Sequence, residues 1–243
     1  MAIGICDWGI GGVGLYQLLR KRSSVDIIYF SDTGYTPYGK VPEDELKARL
    51  TKVFEYFQSL GVHQVIVGCN AASTVLMEDP NIIGVIEHGV NLVLRHHPKE
   101  IAIVGGKRTI ESEIYKTKLE ASGLKVHQRI AQPLSARIEA GDIASDGLMD
   151  DIKAIFEPIK TVEHILLACT HYPLIQSELR KFTVDSIFLD PAEEMVDWIF
   201  NNWKIDNEQG NVRWLTSGDT IQMKNSLSKL YKIENTYIDY IRL

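Results

Sequence analysis

Val67-Gly68-Cys69-Asn70-Ala71-Ala72-Ser73 and Leu167-Ala168-Cys169-Thr170-His171-Tyr172-Pro173 decide how this chain folds. Each closes a short apolar run, Gln64-Val65-Ile66-Val67 before the first and His164-Ile165-Leu166-Leu167 before the second. Apolar runs of this length, bounded by polar residues, predict buried parallel strands. Ligands of open α/β sheets sit just past the carboxyl ends of the strands, so both thiols fall where chemistry is expected. One such cysteine is a weak signal. Two of them, one hundred positions apart, point to a repeat.

Upstream, Ile3-Gly4-Ile5-Cys6 runs into Asp7-Trp8-Gly9-Ile10-Gly11-Gly12, a strand, a glycine-rich turn and a helix start. Asp26 to Phe30 predicts a second strand, followed by the hydroxyl-rich loop Ser31 to Gly39. Pro42-Glu43-Asp44-Glu45 opens a helix whose apolar face is Leu46, Leu50, Val53, Phe54 and Phe57. Asn81 to Glu87 reads as a strand and Asn91 to Arg95 as helix. After the polar break His96-His97-Pro98-Lys99 the pattern restarts. Ile101 to Gly106 matches Ile3 to Gly9, Thr109 to Leu119 and Leu148 to Lys160 are helical, Lys125 to Gln128 is a strand, and Ser186 to Asp190 parallels Ile82 to Glu87. The expected fold is α/β, two similar parallel-sheet domains related by pseudo-symmetry, with the active site in the cleft between them. The expected boundaries are 1–96 plus 205–243, the C-terminal segment packing back on the first domain, and 97–204.

Composition narrows the function classes. The chain has 243 residues and net charge −6, with no Lys/Arg block beyond Arg20-Lys21-Arg22 at a helix end, so nucleic-acid partners gain no support. The N-terminus enters a strand directly and no long apolar run follows, so no membrane partner and a cytoplasmic location are expected. Three cysteines without C-x-x-C spacing read as free thiols, and no zinc-type Cys/His grouping occurs.

A cysteine with an unperturbed pKa near ~8.5 is mostly protonated at neutral pH, so a reactive one needs help. Asp7, on the strand beside that of Cys69, and His171, two residues past Cys169, are placed to take or return a thiol proton. Two thiols on opposite faces of a bound carbon acid suit a two-base reaction, whose product is inverted configuration without a cofactor. The competing reading is that a cysteine after a strand is an inert small hydrophobe. Cys6, without a polar follower, keeps that reading, whereas Asn70 and Thr170 beside the other two supply anion donors. His63, His96, His97, His127 and His164 lack ligand spacing. The turn Gly9 to Gly14 misses G-x-G-x-x-G, and Asp7 before it would repel a pyrophosphate.

At these residues the chain resembles the glutamate racemases of the cofactor-independent aspartate/glutamate racemase superfamily. The likeness runs from about residue 3 to residue 195. It rests on Asp7 to Gly12, Asp32-Thr33 to Pro37-Tyr38-Gly39, Cys69 to Ser73, Gly84 to Gly89, Thr109, Glu139 and Cys169 to Leu174. The resemblance implies two thiol bases, Cys69 and Cys169, with Asp7 supporting one and His171 and Glu139 the other. It also implies an amino-acid cradle: Asn70, Thr109 and Thr170 toward the α-carboxylate, Pro37, Tyr38 and Gly39 toward the distal one. It further implies no cofactor, D-glutamate for peptidoglycan, and a homodimer. Three positions depart from the pattern. Trp8 replaces a serine near the substrate amine, Ala71 replaces a threonine expected on the α-carboxylate, and His88 stands where proline is usual. The rival readings are racemisation of aspartate or another amino acid in an altered pocket, and a weakly active or non-catalytic relative that binds a ligand or a protein.

Overall fold

The computed structural model describes residues 2–206 and 208–243. Among the described residues ten strands form two sheets, every pairing between them parallel. The strands are β1 (Ile3–Asp7), β2 (Ile27–Ser31), β3 (Gln64–Val67), β4 (Ile82–Gly84), β5 (Glu100–Gly105), β6 (Lys125–Ile130), β7 (His164–Ala168), β8 (Ile187–Leu189), β9 (Val212–Thr216) and β10 (Ile238–Tyr240). The larger sheet runs β10-β9-β2-β1-β3-β4 and the smaller β6-β5-β7-β8. Four strands of each therefore share one order, and β3 and β7, which lead to the two cysteines, hold equivalent places. In both sheets the first strand lies between the second and the third, so the direction of winding reverses beside β1 and beside β5. That reversal opens a crevice at the carboxyl edge. Residues of β1, β2 and β7 are buried along their whole length, as a strand covered on both faces requires.

The helices are α1 (Val13–Arg20), α2 (Glu43–Ser59), α3 (Asn70–Ser73), α4 (Val85–Arg95), α5 (Lys107–Glu111), α6 (Ile114–Glu120), α7 (Gln132–Glu139), α8 (Asp146–Phe156), α9 (Gln176–Leu179), α10 (Pro191–Asn202) and α11 (Thr220–Tyr231). In α2 three acids fill the first turn, and Leu46, Leu50, Val53 and Phe57 form the buried stripe that periodicity predicted. The tail adds β9 beside β2 and β10 beside β9, extending the first sheet. Helix α10 follows the second sheet in sequence but buries Ala192, Met195, Val196 and Ile199 in the core of the first. It stands within 97–204, the stretch expected to form the second domain.

Two local expectations need correction. The strand expected over Asn81 to Glu87 stops at Gly84, and Val85 starts α4, because the Ser73 hydroxyl accepts the Val85 N–H at 3.1 Å and caps the helix there. The helix expected from Thr109 to Leu119 is two helices, broken where Glu113 takes a left-handed backbone (φ 53°). The element over 132–139, α7, was not read from the sequence at all. It begins at Gln132-Pro133 and buries Leu134, Ile138 and Glu139.

Candidate active site

Both cysteines line one cavity of about 320 Å3 between the carboxyl edges of the two sheets. It contains every residue expected at the site except Glu139: Asp7, Trp8, Pro37, Tyr38, Gly39, Cys69, Asn70, Ala71, Thr109, Cys169, Thr170 and His171. Cys69 precedes α3 and Cys169 follows β7, so the repeat puts one thiol on each wall. Glu139 stands behind the wall, reaching the cavity through His171. Lys40, Arg108, Gln132 and Ser135 also line it and were not singled out in the sequence. Recognising Gln132-Pro133 as a helix start would have placed the last two there.

A relay of hydrogen bonds supports Cys169. Its Sγ lies 3.6 Å from His171 Nδ1, and His171 Nε2 donates to Glu139 Oε2 at 2.7 Å. The same carboxylate oxygen accepts the Ile10 N–H at 3.0 Å from the opposite half. Burial alone would lower the His171 pKa; its hydrogen bonds to Cys169 and Glu139 outweigh that and raise it well above the ordinary histidine value.

Cys69 has different surroundings. Burial, reinforced by the Asp7 carboxylate, pushes its thiol well above the usual range. Asp7 itself is raised by burial, against the opposing pull of His171 and of the Thr170 hydroxyl, which donates to Asp7 Oδ2 at 2.8 Å. One wall thus favours a thiol and the other supplies a cation.

The glycine turn has a steric reason. A Cβ on Gly9 would sit 2.1 Å from Glu139 Oε2, and one on Gly11 would sit 2.2 Å from the Thr170 hydroxyl oxygen. The turn is pressed against the side chains of the other half, and only glycine permits that approach. Among the binding residues, Asn70 Oδ1 accepts the Tyr115 hydroxyl at 2.8 Å, fixing the amide so that its NH2 is left for a ligand. The Trp8 indole N–H donates to the Tyr35 carbonyl at 3.0 Å, so the ring that lines the cavity is tethered to the adjoining loop. Tyr38 is held below by its hydroxyl, which donates to Asp32 at 2.6 Å, while Arg49 pairs with Asp32 in the interior.

Two parallel sheets of one winding order face a shared crevice with a thiol on each side. The sequence model of Asp/Glu/hydantoin racemases matches residues 15–197, and the chain belongs to that family. Curated relatives within it include the glutamate racemase of Fusobacterium nucleatum, 31% identical over 93% of this chain and 92% of its own length. The glutamate racemase of Campylobacter jejuni is 28% identical over 93% of this chain and 96% of its own. A crystal structure of glutamate racemase from Campylobacter jejuni superposes with a TM-score of 0.87 at 26% identity, covering 97% of this chain and 100% of that one. Among the described residues no helix is long and apolar enough to cross a membrane.

Proposed function

We propose that this chain interconverts L- and D-glutamate without a cofactor, using Cys69 and Cys169 as the two bases. The thiolate on one wall takes the α-proton, leaving the electron pair on Cα. The thiol on the other wall then delivers a proton to the opposite face, so one proton leaves, one arrives and the configuration inverts. Asp7 serves Cys69, and His171, held by Glu139, serves Cys169, returning the thiols to their starting protonation states. Asn70, Thr109 and Thr170 hold the α-carboxylate, and the loop Pro37-Tyr38-Gly39 holds the distal one. Trp8 and Ala71 take the places of a serine and a threonine in that cradle. In this reading the protein works in the cytoplasm as a homodimer and supplies D-glutamate for peptidoglycan.

The observation that carries the reading is the placement of two thiols, at equivalent points of a repeated fold, on one small cavity. Proton NMR of L-glutamate with the protein in D2O tests it. Loss of the α-proton signal, with D-glutamate appearing on a chiral column, is expected. Cys69→Ser and Cys169→Ser should each lower turnover at least about 100-fold, since a hydroxyl is a far poorer base at neutral pH than a thiolate. Near-normal turnover in either variant would remove the two-thiol mechanism, and exchange with aspartate alone would move the substrate.

A further inference from the structure

Arg108, on α5 of the second sheet, reaches across the cavity mouth to the loop of the first. Its Nε donates to the Tyr38 carbonyl at 3.1 Å and its Nη2 donates to the Val41 carbonyl. Both acceptors are neutral, and the charged group beside it is Glu43, which lines the same surface groove outside the thiol cavity. An arginine carries five N–H donors, and those not spent on the loop remain for a ligand. The side chain lines the thiol cavity on one side and a neighbouring surface groove on the other.

Charge gives this placement a purpose. Asp7 and Glu139 already put carboxyl groups in or directly behind the cavity, and both are buried. An amino acid with an acidic side chain adds a second carboxylate to a partly desolvated space, which is unfavourable without a facing cation. Besides His171, the basic residues on the cavity are Lys40 and Arg108. Only Arg108 is tied to the loop 37–41 by bonds from the opposite half. A guanidinium anchored in that manner loses little freedom on meeting a carboxylate and can meet it with two parallel N–H bonds.

We propose that Arg108 sets the preference for an acidic side chain, clamping the loop 37–41 from across the cleft and pairing with the side-chain carboxylate. This rests on the racemase reading for the identity of the ligand but not for its test. Glutamine is the matched probe, because it has the shape of glutamate without the second charge. The experiment measures Kd for L-glutamate and L-glutamine by ligand-induced thermal stabilisation, which needs no turnover. It runs beside α-proton exchange, in the natural protein, Arg108→Met and Arg108→Lys.

A charge-assisted hydrogen bond lost from a partly buried site corresponds to roughly a 10- to 100-fold weaker Kd for glutamate. Arg108→Met should show that loss with glutamine binding changed less than about threefold, and Arg108→Lys should recover part of it, as follows from charge pairing. The proposal is overturned if glutamate and glutamine weaken by the same factor, the result of a purely structural clamp. It is overturned equally if Arg108→Met keeps its preference. A natural protein that binds glutamate through Arg108 yet exchanges no α-proton would keep this proposal and remove the racemase reading instead.

Discussion

Replacing Glu139 with glutamine isolates the relay behind Cys169. The amide has nearly the shape of the carboxylate and can still accept the Ile10 N–H through its oxygen, so the contact between the halves is retained. His171 Nε2 meets that same oxygen at 2.7 Å, so the amide oxygen can take both bonds and what is lost is the negative charge facing the imidazolium. The imidazolium keeps a neutral hydrogen bond where it had a charge-assisted one, which weakens the support from Glu139 that raises its pKa. A charge-assisted hydrogen bond contributes about 1.5–3 kcal/mol and a neutral one about 0.5–1.5, so the difference corresponds to roughly 5- to 15-fold in kcat/KM. Because the two enantiomers of glutamate are equally stable in water, the loss must appear equally in both directions. The measurement is racemisation from L- and from D-glutamate by circular dichroism across pH. The expected result is that fall, together with a shift to lower pH of the limb that reports loss of the His171 proton. Glu139 is a positioning residue in this account, and the pH shift separates that role from a general loosening of the site. A kcat/KM within twofold of the natural protein, or an unmoved pH profile, refutes the relay.

Other perturbations follow from the same contacts. Gly9→Ala drives a methyl group into Glu139 Oε2, so the turn or the relay must move. Overpacking of this kind costs ~1–3 kcal/mol, read by urea unfolding, and racemisation should fall at least about tenfold; wild-type stability would show that the turn has room. His88 is buried, and desolvation depresses its pKa from the ordinary 6.5 to about 4. A base depressed by folding contributes stability that is present above the unfolded value and is lost as pH falls toward the folded one. At about 1.4 kcal/mol per pH unit, roughly 3 kcal/mol should disappear between pH 6.5 and 4. His88→Leu should flatten that part of the stability–pH curve, and a mutant curve parallel to the natural one would contradict it.

The repeat was legible because buried parallel strands leave uninterrupted apolar runs. Ile3 to Cys6, Ile101 to Val104 and Ile165 to Leu167 announce themselves by hydrophobicity alone. The boundary at Gly84 was not legible, since the cap on the first residue of α4, Val85, comes from Ser73, twelve residues away along the chain and adjacent only in space. Helix α7 escaped for a related reason: Gln132, Ser135 and Ala136 form a polar and small-residue face that looks like loop until it is set against the cavity. Within the site, the two thiols and their immediate neighbours could be read from local sequence. The joining of Glu139 to Ile10, of Thr170 to Asp7 and of Arg108 to Tyr38 depends on bringing distant segments together. Charge and hydrogen bonding between such segments leave no periodic trace.

Two of those long-range bonds run in opposite senses. The carboxylate that serves the first wall is held by a hydroxyl from the second half, and the carboxylate that serves the second wall is held by an amide from the first. Neither half therefore owns a finished acid–base set. A separation of the walls by little more than the length of one hydrogen bond would disarm both thiols together. On the proposed mechanism, proton abstraction then requires both walls to be in contact, each finishing the acid–base set of the other.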